Sequence, residues 1–167
     1  MLRQFIALFA FCAVLFLAGC SSTRYEYHYV RGKTATLSGG FAVAPESAPA
    51  VVQAAVAAGN RIAGLPYCYG GGRCEGIDSG YDCSGAASYV LREAGLLRGC
   101  ETSSSFQHYG ARGLGEWISV YAKSGHVFLV VAGLRFDTGW HDHNEGPLWT
   151  MKSRPASRYS LRHPAGL

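Results

Sequence analysis

Residues 80–90, GYDCSGAASYV, mark the point where a glycine-rich loop gives way to a helical pattern. Apolar side chains recur on one helical face from Asp82 onward, and Gly95 is a typical stop. The spacing predicts a helix that begins near Asp82 and carries Cys83 in its first turn. A cysteine in this position can be a nucleophile, a disulfide partner, a metal ligand or a small buried residue.

The start of a helix changes the chemistry of a thiol. The positive end of the macrodipole and the unpaired backbone N–H groups favour a thiolate there and lower its pKa. The same N–H groups can stabilise the oxyanion that forms when the sulfur attacks a carbonyl carbon. The position of Cys83 therefore favours acyl transfer.

The N-terminus indicates the compartment. Arg3 precedes an apolar run that ends in LAGC at residues 17–20, and the polar SST follows. We interpret residues 1–19 as a signal peptide, because the run is shorter than the roughly 18 to 20 apolar residues of a membrane span. LAGC resembles the bacterial lipobox, which implies lipidation of Cys20 and a durable membrane anchor. We expect an extracytoplasmic lipoprotein that faces the periplasm or the outer surface of the cell envelope.

Length and charge restrict the partners. The 167 residues suffice for one domain after removal of the signal. The formal net charge is +4, and loss of Arg3 leaves about +3. This mild charge favours a polyanionic cell wall or lipid headgroups. Nucleic acid is not expected, because there is no Lys/Arg run or basic stripe.

Four of the six cysteines lie beyond the signal and lipobox, namely Cys68, Cys74, Cys83 and Cys100. They can make two bridges in an oxidising compartment. If Cys83 stays a free thiol, the other three cysteines can form one disulfide, and the bridge from Cys68 to Cys74 would close the shortest loop. One thiol is then left over, so the sequence does not decide the disulfide pairing. A zinc site from Cys68, Cys74, Cys83 and His141 or His143 is the alternative, but its spacing is unusual. We expect neither a metal nor a cofactor.

The first part of the body shows little regular pattern. Residues 20–46 mix tyrosines with Gly, Ser and Thr, so we predict a tether with one short strand around residues 25–30. Ser47 is then predicted to cap a helix that ends before AGLP at residues 63–66.

Strand patterns dominate the second half. The runs at 116–122, 126–134 and 135–139 are joined by short turns and predict an antiparallel meander. An alternating run at 158–164 predicts an edge strand. Helices followed by strands indicate an α+β domain over residues 47–167, with N-terminal helices packed on an antiparallel sheet.

A cysteine nucleophile needs a base, and six histidines are candidates. His126 differs from the others because it opens the most apolar strand, HVFLVV, where a rigid scaffold can present it to a helix start. We therefore favour His126 as the base.

Three ordered motifs carry a family resemblance. PYCYGGG at residues 66–72, GYDCSG at 80–85 and GHVFLVVAG at 125–133 resemble the NlpC family of papain-like cell-wall cysteine peptidases. The resemblance covers about residues 50–140 and implies a papain-like fold. It implies that Cys83 is the nucleophile and His126 the general base.

The resemblance places a third catalytic residue on the strand after His126. That place falls on RFDTG, and Asp137 is our choice, although the family usually has histidine, asparagine or glutamine there. His141 and Asn144 remain alternatives. Aspartate can accept a hydrogen bond from the imidazole and stabilise its charged form.

The resemblance also suggests substrate contacts. Asp82 would meet the free amino group of a peptide stem, whereas the residue type equally suggests a helix cap. Tyr67 would either line the cleft, in contact with substrate or the oxyanion, or pack in the hydrophobic core. Ser84 is expected to pack or cap, with a possible substrate contact.

The implied function is hydrolysis of an amide in peptidoglycan stem peptides, commonly between D-glutamate and the following diamino acid, through a thioester on Cys83. Two alternatives remain open. One is a cell-wall-binding or scaffold lipoprotein without turnover, and the other is an amidase or transpeptidase that uses the same Cys/His pair.

Overall fold

The computed structural model describes residues 24–73, 76–139 and 145–167 of the chain. Several predictions fall outside these residues, namely the signal at 1–19, the lipidation site Cys20, and the candidate residues Cys74, His141, His143 and Asn144. No helix within the described ranges is long and apolar enough to span a membrane.

Two α-helices lie within the described residues, α1 at Ala50–Ile62 and α2 at Cys83–Glu93. Helix α2 begins where the loop-to-helix transition in the sequence predicts it. Helix α1 begins after Pro49 rather than at Ser47, and no side chain caps it. Ser47 instead donates a hydrogen bond to the carbonyl of Gly32, so it fastens the preceding segment to the helix start.

Ten short strands lie in the described ranges. In chain order, β1 to β10 span Arg24–Tyr25, Thr36–Ser38, Phe41–Val43, Ala111–Arg112, Ile118–Lys123, His126–Val131, Leu134–Asp137, Leu148–Thr150, Arg154–Pro155 and Ser160–His163. Six form one antiparallel sheet in the order β4-β10-β5-β6-β7-β8. The predicted meander corresponds to β5, β6 and β7 and is confirmed.

The prediction of an edge strand at 158–164 is wrong. Strand β10 lies inside the sheet, because Arg162 pairs with Val120 of β5 on one side and with Arg112 of β4 on the other. The two-residue strand β4 is too short to leave a periodic signal in the sequence. It covers the edge that β10 would otherwise expose.

The helices pack on one face of the sheet. Val52 and Ile62 of α1 and Val90 of α2 are fully buried in the same core as Leu129 and Val131 of β6. Phe128, the neighbour of Leu129 in β6, joins a second cluster with Tyr25 and Tyr121, as expected for side chains that alternate across a strand. The α+β prediction is confirmed.

The segment at 24–46 differs from the predicted tether. Tyr25 is 4% exposed, Ala35 is fully buried, and Ala42 belongs to the main core. Strand β1 pairs with β9, and β2 with β3. These strands are two or three residues long, too short to show a period, yet they bury apolar side chains. The packed domain therefore includes residues 24–46 and does not begin at residue 47.

Candidate active site

Asp82 forms the N-cap of α2. Its Oδ1 accepts hydrogen bonds from the backbone N–H of Gly85 at 2.7 Å and from the Ser84 hydroxyl at 2.8 Å. Its Oδ2 accepts from the N–H of Gly70 at 2.9 Å, and Arg73 lies 4.0 Å away. Asp82 and Ser84 are both 5% exposed. Asp82 is confirmed as the helix cap, whereas Ser84 is packed in the first turn of the helix. The contacts of both residues with substrate stay a prediction.

The glycines of the two motifs pack against each other. A Cβ at Gly85 would lie 1.9 Å from the carbonyl oxygen of Gly71. Gly72 has φ +80°, and a Cβ there would lie 2.3 Å from the Tyr81 ring. The GGG stretch therefore serves close backbone contact with the start of α2, where only glycine fits.

Cys83 is the first residue of α2 and is half-buried. Burial raises the pKa of its thiol, and the nearby charges of Asp82 and Asp137 add to this effect. Hydrogen bonds from the backbone N–H groups of Val127 and Ser84 oppose it. The helix start was expected to lower the pKa of Cys83, and this expectation is wrong because desolvation outweighs the backbone donors.

The contact with Val127 brings Cys83 to the start of β6, next to His126. His126 Nε2 lies 2.8 Å from Oδ1 of Asp137, the last residue of β7. An ionised carboxylate only accepts hydrogen bonds, so Nε2 carries the proton and Nδ1 is left to act as a base. The side chain of Asp137 is fully buried and that of His126 is 16% exposed. The orientation of Asp137 is set further by the N–H of Thr138, which donates to Oδ1 at 2.8 Å.

Two arginines flank Asp137. Arg154 of β9 places Nη1 2.5 Å from Oδ2, and Nε of the fully buried Arg135 lies 3.4 Å from the same atom. The reasoning from sequence missed both arginines. No local signal marks Arg154, which lies 17 residues from Asp137 on a two-residue strand.

Cys83, His126 and Arg154 line a cleft of about 320 Å³. The lining consists of Tyr67, Cys83, Lys123, Ser124, Gly125, His126, Thr138, Gly139 and Arg154. The candidate nucleophile and base thus share one cavity with Tyr67. Burial, followed by the proximity of Cys83, raises the pKa of the Tyr67 hydroxyl. Tyr67 lies in the cleft wall, while its contact with substrate stays a prediction.

The other described thiols, Cys68 and Cys100, do not line the cleft. Cys68, Cys83 and Cys100 are free among the described residues, and Cys74 lies outside them. The described ranges contain no cluster of three or more His, Cys, Asp or Glu side chains that could hold a metal ion. Of the zinc candidates, only Cys68 and Cys83 are described.

Comparison with known proteins identifies no relative of this chain. No protein-family model matches the chain, and no curated protein or solved structure is significantly similar to it. Function is therefore inferred from the geometry of the cleft and from the motifs of the sequence.

Proposed function

We propose that the protein is a papain-like cysteine peptidase that hydrolyses amide bonds in peptidoglycan stem peptides. One observation carries the proposal: the thiol of Cys83 and the imidazole of His126, oriented by Asp137, line the same cleft. A nucleophile, a base and an orienting carboxylate are the parts that acyl transfer needs. The stem-peptide substrate rests on the resemblance of the three motifs to the NlpC family.

The chemistry begins with Cys83 as a thiol, since burial raises the pKa of this group. As the sulfur attacks the amide carbonyl, the proton passes to Nδ1 of His126. Asp137 then stabilises the imidazolium. The imidazolium protonates the leaving amine, which breaks the C–N bond and leaves a thioester on Cys83. His126 next takes a proton from water, whose hydroxyl cleaves the thioester and restores the thiol.

A lipid anchor at Cys20 would hold the domain beside its substrate. Tyr25 is packed into the domain, and only the four residues 21–24 separate it from Cys20. The five Cα-to-Cα steps from Cys20 to Tyr25 span at most about 18 Å. A lipoprotein with so short a connection would act on cell wall close to the membrane surface.

Digestion of purified sacculi tests the proposal. The full chain is expected to release stem-peptide fragments, whose masses identify the cleaved bond, and Cys83→Ala and His126→Ala each abolish release. Cys68→Ala is the matched control, since it removes an exposed thiol outside the cleft. If the Cys83→Ala protein still cuts sacculi, the proposed mechanism is wrong.

A scaffold lipoprotein without turnover is the second candidate, and the raised pKa of Cys83 favours it because less thiolate is present at neutral pH. Such a protein would bind sacculi at equal levels with and without Cys83 and release no fragments. An amidase or transpeptidase would be recognised by its products, which differ in the bond cut or contain an added amine.

A further inference from the structure

We propose that the cleft contains an anion subsite, centred on Lys123 and Thr138, that recognises a free carboxylate next to the scissile amide. This inference rests on the proposed function and names the form of stem peptide that is cleaved. A glutamate within a peptide chain keeps one free carboxylate whichever of its two carboxyl groups forms the amide. Stem peptides that carry this carboxylate are the expected substrates, and stems in which it is amidated are disfavoured.

The register of the sheet places Lys123 beside the candidate base. Lys123 is the cross-strand partner of His126, at the end of the hairpin formed by β5 and β6. Directly opposite residues of an antiparallel pair project from the same face of the sheet. Both residues line the cleft, so the ammonium group lies on the same wall as the imidazole.

The ammonium group is held by an aromatic ring. Nζ of Lys123 lies 5.0 Å from the centroid of the Tyr159 ring, and the same ring makes an edge contact with His126 at 6.4 Å between centroids. A cation–π contact of this kind fixes the position of the ammonium group and leaves its N–H donors available. No carboxylate of the described residues forms an ion pair with Lys123.

The fixed charges that line the cleft are positive among the described residues. They belong to Lys123 and Arg154. None of the described residues that line the cleft is acidic. A cavity with this balance attracts an anionic group and disfavours a cation.

Thr138 supplies a hydrogen-bonding group that the fold does not use. Its side chain is 2% exposed and lines the cleft, and its hydroxyl has no hydrogen-bond partner among the described residues. A buried hydroxyl without a partner destabilises a folded protein. A substrate oxygen in the cleft can accept the proton of this hydroxyl and remove that cost.

A pair of synthetic stem peptides tests the subsite. One contains D-glutamate with its free carboxylate, and the other is the corresponding amide. The full chain is expected to cleave the acid with a kcat/KM about fivefold higher, the size expected of a half-exposed ion pair. Lys123→Gln reduces this ratio to about one, and Lys123→Arg retains it. Lys33→Gln, which removes an exposed cation paired with Glu116 away from the cleft, leaves the ratio unchanged.

Thr138→Val tests the contribution of the Thr138 hydroxyl independently of the charge of Lys123. This variant keeps the shape of the side chain, so we expect an unchanged or higher Tm together with lower kcat/KM for both peptides. A lower Tm would show that the hydroxyl serves the fold and would overturn its assignment to the subsite.

Direct binding distinguishes failure of the subsite from failure of the proposed function. If neither peptide is cleaved but Cys83→Ala protein binds the acid more tightly than the amide, and Lys123→Gln removes the difference, the subsite is supported and the peptidase is not. If both peptides are cleaved at equal rates, or if Lys123→Gln still discriminates, the subsite is wrong and the peptidase stands.

Discussion

At the level of single residues, Asp137 has side-chain partners of two chemical kinds. It orients the imidazole of His126 and also compensates two arginines, one of them fully buried. Its selection from the sequence rested on the position of RFDTG after the histidine strand. The arginines explain why an aspartate suits this position, since a neutral side chain would remove a carboxylate that both of them contact.

Asp137→Asn is therefore expected to affect both activity and stability. The substitution keeps the shape of the side chain but removes the charge that stabilises the imidazolium, so kcat falls. It also breaks a buried ion-pair network, which costs about 3 to 5 kcal/mol. Urea unfolding and peptidase assays well below Tm measure the two effects separately.

Glu116→Gln is the control for that experiment. It removes an exposed carboxylate that pairs with Lys33 at 3.4 Å. We expect a change below about 1 kcal/mol. Equal losses of stability for the two variants would contradict the role assigned to Asp137.

The pH dependence of Cys83 alkylation follows from its burial. Burial raises the pKa of this thiol, so the rate of reaction with iodoacetamide at neutral pH is lower than that of free cysteine. The rate continues to rise above about pH 8.5, the ordinary thiol pKa. Peptide mapping by mass spectrometry reports the rate at Cys83 separately from those at other thiols.

The same shift affects folding with a defined sign. A folded-state pKa above the unfolded value means that the folded protein binds the proton more tightly. The resulting contribution to stability is complete below the unfolded pKa and is lost as pH rises through the folded pKa. For the alkylation experiment, a rate at Cys83 that reached its plateau below pH 7 would instead indicate a thiolate paired with imidazolium in the resting protein.

At the level of elements, the start of α2 depends on contact between two backbones. The loop at Gly71 and Gly72 lies against Gly85, and Asp82 joins the loop to the helix through Gly70. This arrangement accounts for the glycines that lie at the contact between the two motifs. It also holds Cys83 in place, because the residues on either side of the thiol are fastened.

Gly85→Ala is expected to destabilise the fold despite its helical position. Replacing a glycine in a helix interior with alanine ordinarily stabilises the helix by about 1 kcal/mol. The new methyl group, however, would overlap the backbone oxygen of Gly71, which cannot move without shifting the loop. Overpacking of this kind costs about 1 to 3 kcal/mol. Guanidinium unfolding measures the loss, and a lower kcat reports displacement of Cys83.

Gly59→Ala provides the comparison. A Cβ there would lie 2.4 Å from the ring of Trp149, a side chain that does not line the cleft. We expect lower stability with unchanged kcat for Gly59→Ala.

The Gly85→Ala prediction is contradicted if that protein is as stable and as active as the parent. The loop at Gly71 would then shift to accommodate the methyl group at little cost in free energy.

At the level of the whole molecule, the N-terminal segment belongs to the site as well as to the fold. Strand β1 pairs Tyr25 with Arg154, the residue that contacts Asp137. The Tyr25 hydroxyl donates to the carbonyl of Gly133 at 2.8 Å, and its ring lies 5.8 Å from the guanidinium of Arg135. Residues near the predicted lipid anchor therefore help to hold the orienting carboxylate.

Two truncated chains test this connection. A chain that begins at residue 47 loses the burial of Tyr25, which alone contributes about 1.5 to 3 kcal/mol, and loses the strand that pairs with Arg154. We expect a lower Tm and a lower kcat than for a chain that begins at residue 24. If residues 24–46 were only a tether, the two chains would have the same stability and activity.

The local pattern was sufficient to predict the start of α2, the meander of β5 to β7, and the pairing of Cys83 with His126 as candidates. Helical and strand periods and capping residues act over a few positions, so they are legible in the sequence. Packing decided the rest: β10 lies inside the sheet, residues 24–46 join the core, and the distant Arg154 meets Asp137 together with its neighbour Arg135. It also reversed the expected shift in the pKa of Cys83, because desolvation depends on neighbours that only the folded chain brings together.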